Sequence, residues 1–373
     1  MDSLFLKDIR LYNFKNHESL ELSFSDKINC IVGRNGVGKT ALLDAVYYLS
    51  MCKSYFSSND KQTVRFQEDA FMLEGFYSRS NKEERIKCGW KLGQKKSFKR
   101  NDKSYERLSD HIGFFPAVVI APKDHELIDG GSELRRKFAD QVISQSNSAY
   151  LESLIHYNRV LLQRNALLKM QQQSGRVESG LLENYDFQLE LYGNQIFTAR
   201  SAFAEGMKEL VQSYYSQISG RQEEASMQYQ SGLQEYSLLE ELKKRTKLDC
   251  LSGYTSVGVH KDDLYWNLKD KSLKAFGSQG QQKSFLIALK LAQFDFISKK
   301  TNLKPILLLD DIFDKLDAHR VEQLIQLVNT HHYGQIFITD THADRTSDIA
   351  KRINEESVIH ELSYSEEEET KQF

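Results

Sequence analysis

The sequence predicts an α/β protein in which buried strands lead into phosphate-binding and carboxylate-bearing loops, with a helical lobe inserted between them. Three observations support this class. The apolar run Ile28–Val32 is followed by GRNGVGKT at residues 33–40 and then by apolar residues at helical spacing. A second apolar run ends in two carboxylates at residues 306–311. Between these motifs, residues 132–173 contain neither Gly nor Pro and repeat apolar side chains at helical spacing.

Residues 33–40 match the phosphate-loop pattern G-x-x-x-x-G-K-[ST] in full, and the flanking strand and helix argue against a chance glycine-rich turn. Gly33, Gly36 and Gly38 allow backbone N–H groups to point at a triphosphate. Lys39 is expected to reach the β and γ phosphates of ATP, and the Thr40 hydroxyl to hold Mg²⁺. The predicted nucleotide-binding residues of this loop are Gly33, Arg34, Asn35, Gly36, Val37, Gly38, Lys39 and Thr40.

Composition limits the class of protein. A chain of 373 residues exceeds what one core usually serves, so two lobes or a large insertion are expected. The net charge of −2 gives no basic footprint over the whole chain, so any DNA contact must come from local basic patches. Without a signal peptide or an apolar run of membrane-spanning length, the chain is expected to be cytoplasmic and free of membrane contact. Buried free thiols, rather than zinc ligands or disulfides, are predicted for Cys30, Cys52, Cys88 and Cys250.

The first third of the chain is predicted to be mostly strands. Residues 4–11 and 20–24 lead into the phosphate-loop strand, and residues 71–77 and 85–92 form two more strands. A lysine-rich turn follows at residues 95–103, and either a solvated hairpin tip or a contact with the DNA backbone explains it. The short apolar run Ala117–Ile120 predicts a parallel central strand.

Helices are predicted for residues 132–173, 181–218 and 238–248. A polar helix face is the ordinary interpretation of Arg159, Gln163, Arg164 and Asn165. No internal repeat is found, and heptads do not persist long enough for an extended coiled coil.

A third motif, Ser278-Gln279-Gly280-Gln281-Gln282, opens a run of apolar residues at helical spacing and is called the signature segment below. Ser278 is a good helix N-cap, and Gly280 lets a ligand approach the exposed N–H groups, so this terminus can bind an anion. Alone, the segment is a weak signal, and an ordinary capped amphipathic helix explains it best. Its position before the carboxylate strand and Asp310 and Asp311, which can hold Mg²⁺, favours a nucleotide site.

In this order the motifs resemble the ABC-type ATPases that act on DNA, a group containing SMC, MutS and RecF proteins, and the closest resemblance is to the RecF family. The fold implied is an ABC-type ATPase head with an inserted helical lobe and no long coiled coil. Departures from the family pattern are Ser132 where Pro is usual, Asp44 where Glu is common, and Asp124 near the position of a common Gln. His342 is a candidate switch histidine. The segments that carry the closer resemblance are residues 11–16, 122–140, 157–165, 258–263 and 308–320.

The resemblance implies a site shared by two subunits. Ser278 and Gly280 of one subunit would grip the γ-phosphate held by Lys39 of the other, giving an ATP-dependent head-to-tail homodimer that hydrolysis releases. For His260 and Asp262 a hydrogen-bonded structural corner is the alternative to a functional role. Asp310 would organise Mg²⁺ with Thr40, and Asp317 would contact nucleotide. The catalytic candidates are Asp311, which would orient or deprotonate water, Lys39 and Gln281, although a positional role is favoured for Gln281 and Gln282.

The function implied is that of an ATP-dependent DNA-binding protein of recombinational repair, a weak ATPase used as a switch. It would bind double-stranded DNA beside single-strand gaps and work with RecR and RecO to load RecA. The alternatives are a signalling or scaffold switch without direct DNA binding, and a nuclease-linked relative, which the short stretch after residue 345 disfavours.

The domain organisation implied is an ATPase lobe made of residues 1–121 and 253–373, with a helical lobe of residues 122–252 between them. Proteases are expected to cut near residues 174 and 231, and the acidic segment 366–369 is expected to be disordered and dispensable.

Overall fold

The computed structural model describes residues 3–174, 179–220, 223–313, 316–330, 333–342, 346, 348, 352 and 357–363. The predicted acidic segment at 366–369 lies outside these residues. The chain divides into two compact units. The first unit comprises Met1–His125, Ser213–Arg221 and Lys283–Phe373, and the second comprises Glu126–Gln212 and Gln222–Gln282. The first unit contains both strands and helices, which confirms the α/β class.

A five-stranded parallel sheet carries the phosphate loop. Its strand order is β14-β3-β13-β12-β8. Most of these strands are fully buried runs of apolar residues, as expected for parallel strands covered on both faces. The strands are β3 Ile28–Val32, β8 Ala117–Ile120, β12 Ile306–Leu309, β13 Ile336–Asp340 and β14 Val358–Glu361.

Strand β8 is parallel, as predicted, but the prediction that it is central was wrong. It pairs with β12 and stands at the end of the strand order. Helix α1, Lys39–Met51, lies nearby, and the Ser50 hydroxyl donates a hydrogen bond to the Phe115 carbonyl just before β8. A covered edge strand is as apolar as a central one, so its sequence does not distinguish the two positions.

A second sheet of the first unit is antiparallel, with six strands in the order β2-β1-β4-β5-β6-β7. The predicted lysine-rich turn at residues 95–103 was wrong in extent. Ser97–Arg100 forms a strand on β5, and Phe98 enters the core at 2% exposure. The turn is reduced to Asn101 and Asp102, whose φ values are 49° and 63°. The strands are β1 Leu4–Phe14, β2 His17–Ser23, β4 Ala70–Arg79, β5 Lys82–Lys91, β6 Ser97–Arg100 and β7 Lys103–Ser104.

The two sheets of the first unit share one hydrophobic core around α1. Phe14 and Phe71 meet edge to face at 5.3 Å within it. Gln335 also joins the sheets, because its Nε2 donates to the carbonyls of Leu6 and Ser25, each at 2.7 Å. Its Oε1 accepts from the Leu6 amide at 2.8 Å. A buried side chain with three such bonds fixes the position of β1 beside the parallel sheet.

Helices dominate the second unit. The predicted helix at residues 132–173 is two helices, because the Asn147 side chain accepts from the Tyr150 amide at 3.0 Å and starts a new helix there. The helices predicted at 181–218 and 238–248 are confirmed, each slightly longer.

The α-helices that complete the fold, over both units, are α2 Glu126–Asp129, α3 Ser132–Ser144, α4 Ser148–Ser174, α5 Ser179–Ser219, α6 Leu238–Ser252, α7 Leu273–Phe276, α8 Gln279–Thr301 and α9 Ala318–Thr330. Short 3₁₀ turns lie at Asp60–Thr63, Leu108–Asp110, Pro122–His125, Gly232–Gln234 and Val259–Lys261.

A three-stranded antiparallel sheet in the second unit was not predicted. It consists of β9 Ala225–Gln230, β10 Asp263–Leu268 and β11 Lys271–Ser272. Because β10 pairs with β9, residues after 252 group with the helices of this unit, which extends to Gln282. The lobe boundaries predicted at 121/122 and 252/253 therefore differ from the boundaries of the compact units. The two predicted lobes stay a prediction.

Arg164 corrects the interpretation of residues 159–165 as a plain polar helix face. Its side chain is fully buried, and its Nε donates to Asp186 at 2.6 Å. Its Nη1 donates to Asp249 at 2.8 Å and to Thr255 at 2.9 Å. Two carboxylates around one buried guanidinium tie α4 to α5 and α6.

The four cysteines are free thiols, as predicted. Cys30, Cys52 and Cys88 are buried, and burial raises the pKa of the Cys30 and Cys52 thiols to about 12. Cys250 differs from the prediction in being only partly buried. In the part of the chain that the structure describes, no helix is long and apolar enough to cross a membrane.

Candidate nucleotide-binding site

The phosphate loop joins β3 to α1 and requires glycine at two positions. Gly38 has φ 105°, and a Cβ there would lie 2.5 Å from Nε2 of His17. Gly33 has φ 155°, and a Cβ there would lie 2.5 Å from the Leu362 carbonyl oxygen. Both the backbone conformation and the close neighbours exclude a larger residue.

Lys39 and two residues before the loop hold its backbone. The Lys39 side chain is buried, and its Nζ donates to the carbonyls of Gly33 at 2.8 Å and Arg34 at 3.1 Å. Asn16 Nδ2 donates to the Gly36 carbonyl at 2.8 Å, and His17 Nε2 lies 3.0 Å from that of Gly38. The structure thus keeps Lys39 inside the loop, where a phosphate can compete for it. Around it, Val37 is buried, whereas Arg34, Asn35 and Gly36 are exposed.

Asp310 is brought to the same place by β12. Its carboxylate is buried, and Thr40 Oγ1 donates to its Oδ1 at 2.9 Å and lies 3.1 Å from its Oδ2. Thr339 Oγ1 also donates to Oδ1, at 2.9 Å. Burial and the neighbouring Asp311 raise the pKa of Asp310, while the two hydroxyls and Lys39 oppose that rise.

The pair formed by Thr40 and Asp310 fits Mg²⁺. A hydroxyl and a carboxylate oxygen are hard donors, and Mg²⁺ in nucleotide sites takes one or two protein oxygens with phosphates and waters. The predicted metal ligands are therefore adjacent.

Thr339, at the end of β13, was missed by the sequence analysis. Besides contacting Asp310, its Oγ1 accepts from the backbone amide of Asp311 at 3.0 Å. Asp311 has φ 44°, an uncommon value for a residue other than glycine. One hydroxyl thus fixes both acidic residues. The sequence held no local signal for it, because its role depends on β13 being the parallel neighbour of β12, so that their carboxyl ends meet at one edge.

The signature segment begins helix α8 in the second unit. Ser278 Oγ accepts from the Gln281 amide at 3.2 Å, and the Ser278 amide donates to Gln281 Oε1 at 2.9 Å, a reciprocal capping box. Gln281 Nε2 also donates to Glu223 at 3.1 Å. These contacts favour the positional role of Gln281. Gln282 Nε2 reaches the Leu273 carbonyl at 3.4 Å, while Ser278 is exposed and Gly280 partly so.

Asp317 starts helix α9 in the first unit. Its Oδ1 accepts from the Arg320 amide at 3.0 Å, as an N-cap does, and the carboxylate also pairs with the Arg320 guanidinium. Arg320 Nε in turn donates to Ser284 at 2.8 Å. Asp317 is exposed, and its contact with nucleotide stays a prediction.

Asp124 lies in a buried network of the first unit. It accepts from the Ala121 amide at 2.8 Å, pairs with Lys290 at 2.8 Å and bonds to the Tyr55 hydroxyl. The Tyr55 amide donates to Asp44 at 2.7 Å, and Asp44 pairs with Lys15 at 2.6 Å. Each carboxylate is matched by a lysine, which allows both charges to be buried.

His260 and Asp262 form the hydrogen-bonded corner that was the alternative to a functional role. His260 lies 2.8 Å from the Tyr157 hydroxyl and 3.1 Å from the Thr255 carbonyl. Asp262 is buried, bonds to the Tyr229 hydroxyl and lies 3.4 Å from Arg200.

His342, the candidate switch histidine, is exposed, unlike His260 and Asp262. Its ring contacts the Thr341 hydroxyl at 2.8 Å, and its amide donates to Asp340 at 2.9 Å.

Known proteins resemble the chain along nearly its whole length. Residues 5–359 match the family described as "RecF/RecN/SMC N terminal domain". The chain is 48% identical over 371 residues, 99% of each protein, to the "DNA replication and repair protein RecF" of Phocaeicola vulgatus. It is 46% identical to the protein of the same name from Flavobacterium johnsoniae, over 96% of this chain and 99% of that one.

Solved structures show the same likeness. That of "the recombination mediator protein RecF-ATP in RecFOR pathway" is 32% identical with a TM-score of 0.85, over 91% of this chain and 92% of the other. The Smc head domain of Pyrococcus furiosus, at 16% identity, has a TM-score of 0.56 over 99% of this chain and 98% of the other. The second likeness concerns the fold, and it confirms the predicted ABC-type ATPase head.

Proposed function

The chain belongs to the RecF family of DNA replication and repair proteins, and from this premise we propose that it is an ATP-dependent DNA-binding protein of recombinational repair. The observation that carries the proposal is the meeting of Thr40 with Asp310 beside the buried Lys39, which supplies phosphate and metal ligands together. Similar RecF structures include one described with ATP.

In the proposed mechanism, ATP binds to the phosphate loop and is the substrate for hydrolysis. Lys39 Nζ gives up its contacts with the Gly33 and Arg34 carbonyls for the β and γ phosphates, while the loop amides and the start of α1 bind the remaining phosphate oxygens. Thr40 and Asp310 would hold Mg²⁺, which would neutralise phosphate charge when bound. Asp311, oriented through Thr339, positions the attacking water and accepts its proton. The expected turnover is that of a weak ATPase used as a switch.

The signature segment supplies the contact through which we expect the protein to dimerise. Ser278 and Gly280 present a capped helix N-terminus, and such a terminus favours negative charge. In the proposed head-to-tail homodimer, this terminus binds the γ-phosphate held by the partner subunit. ATP then stabilises the dimer by mass action, and hydrolysis releases it.

The proposed cellular role is that the dimer clamps duplex DNA near single-strand gaps in the cytoplasm and helps load RecA together with RecR and RecO. Two findings support it, namely that relatives nearly half identical over the full chain are named RecF, and that similar structures are assigned to the RecFOR pathway.

Mobility shift of a gapped duplex, with and without ATP, tests the proposal. We expect a complex that requires ATP and that the Lys39→Ala variant fails to form. If ATP produces dimers but no complex with gapped or intact duplex, the protein is a scaffold or signalling switch instead.

A further inference from the structure

The outer face of the antiparallel sheet carries one row of charged residues across five strands. Strand registers place Arg10 opposite both Glu21 and Glu74, Glu74 opposite Lys87, and Lys87 opposite Lys99. The charges alternate along this row until the last step, where two lysines face each other. Like charges directly opposite each other on one face are unfavourable. The order of the row is Glu21, Arg10, Glu74, Lys87 and Lys99.

The acidic residues of the row are already engaged by arginines. Glu21 pairs with Arg10 at 2.7 Å, and Glu74 pairs with Arg85 at 2.6 Å and with Arg10 at 3.7 Å. Within the described ranges, no carboxylate lies within 4.0 Å of Lys87 or Lys99. Both lysines are only partly buried. The β5–β6 end of the face therefore carries two lysines that form no ion pair with a described carboxylate.

The face is also open beside these lysines. Two positions along β5, Gly89 stands opposite Ser97, and a Cβ added to Gly89 would meet nothing within 4 Å. Ile86 and Cys88 point the other way into the core, so the lysines and Gly89 share the solvent side. A small residue next to two cations leaves room for a bulky anion to reach the sheet.

We propose that Lys87 and Lys99 form a phosphate-binding site through which the outer face of this sheet contacts the DNA backbone. Phosphate contacts in DNA complexes come mainly from lysine and arginine, whereas protein interfaces are anchored by aromatic, Met and Arg side chains. At this end the face offers Lys87, Lys99, Gly89 and Ser97, with one methionine, Met72, opposite Gly89. The two lysines match the first chemistry. The site rests on the proposed function and adds a location to it.

The site also explains part of the lysine-rich segment at residues 95–103. Lys96 is not available, because its Nζ pairs with Asp60 at 2.8 Å and donates to the Cys52 carbonyl at 2.9 Å. Lys99 is held by β6 on the outer face instead. A strand, rather than a turn, presents the basic group.

Lys99→Glu separates a binding role from a structural one. The new carboxylate would face Lys87 and convert a repulsive pair into an ion pair, so thermal stability should stay the same or rise. Affinity for duplex DNA in the presence of ATP should fall at least about tenfold, while ATP hydrolysis without DNA and dimerisation stay unchanged. Lys208→Glu, which makes the same charge change at an exposed site on α5, should leave DNA affinity unchanged.

The salt dependence of DNA affinity gives a second test of the phosphate-binding site. In Lys87→Gln/Lys99→Gln, the slope of log affinity against log salt should shrink by about 2, one for each lost phosphate contact. Parental affinity and slope in both variants would overturn this site while leaving the proposed function intact. A parent protein that binds no DNA with ATP would overturn both. Loss of dimerisation in the variants would show that the effect on DNA is indirect and would also reject the site.

Discussion

Thr40 and Asp310 are 270 positions apart in the sequence, yet Thr40 Oγ1 donates a hydrogen bond to Asp310 Oδ1 at 2.9 Å. The two predicted metal ligands therefore meet without rearrangement of β3 or β12. Thr339 contacts the same carboxylate oxygen, so the position of Asp310 is fixed from two sides. Preorganised ligands of this kind bind without a large ordering cost.

Thr339→Val should slow ATP hydrolysis roughly tenfold or more, because a hydrogen bond to a charged group and the acceptor for the Asp311 amide are lost together. Affinity for ATP should change little, since Lys39 and the loop amides stay in place. Phosphate release and binding of a fluorescent ATP analogue measure the two effects. Thr339→Ser keeps the hydroxyl and should restore hydrolysis, and a valine variant as fast as the parent would contradict the role of Thr339.

Ser278→Arg should leave binding of ATP to the monomer nearly intact but block ATP-dependent dimerisation, because it places bulk and charge at the exposed start of α8. Lys39→Ala should remove triphosphate affinity, dimerisation and turnover together. Sedimentation and nucleotide titration of both variants decide this. If monomer affinity falls equally in the two, the signature segment acts within its own subunit.

Asp311→Asn should separate holding ATP from hydrolysing it. Asparagine keeps the size of the side chain but cannot accept a proton, and loss of a general base typically costs about 10²- to 10⁴-fold in rate. The variant should bind ATP, dimerise and retain DNA far longer than the parent, as DNA dissociation timing would show. Failure to bind ATP would mean that the roles of Asp310 and Asp311 are exchanged.

Stability should fall as the pH drops from about 6.5 toward 4. Burial lowers the pKa of both His111 and His260 to about 4, so the folded protein keeps these rings neutral while the unfolded chain protonates them near pH 6.5. The stabilisation is complete above pH 6.5 and is lost as the pH approaches 4. Urea unfolding at several pH values measures it. His111→Gln should reduce the number of protons taken up on unfolding by nearly one between pH 6.5 and 5. An unchanged pH dependence of the unfolding free energy would contradict the assignment.

The parts of the site that could be predicted are those encoded by contiguous residues. Strand β3 was predicted to the residue, because a buried parallel strand is a continuous apolar run. The phosphate loop, the carboxylate pair and the helix start at the signature segment also depend on local spacing. Their joint location follows from the common edge at which parallel strands end.

The parts that could not be predicted depend on distant partners. Strand β9 has only six residues, in which Ala225, Met227 and Tyr229 alternate with polar residues, and its pairing with the distant β10 identifies this short pattern as a strand. Arg164 looks like a surface residue until Asp186 and Asp249 are brought to it from two other helices. Thr339 has no local signature, since its role comes from the neighbouring strand.

The strand order has a consequence for synthesis on the ribosome. Strand β3, which precedes the phosphate loop, is flanked by β13 and β14, which are both synthesised much later than β3. The hydrogen bond from the Leu6 amide to Gln335 likewise forms only after Gln335, 329 positions later, has been synthesised. The elements of the second unit, by contrast, are translated before β12. A nascent chain can therefore complete the helical unit first while β3 keeps both edges unpaired, and such edges are sites of wrong association. Nucleotide can stabilise the protein only after translation has passed the final strands, so chaperone protection should matter most during that interval.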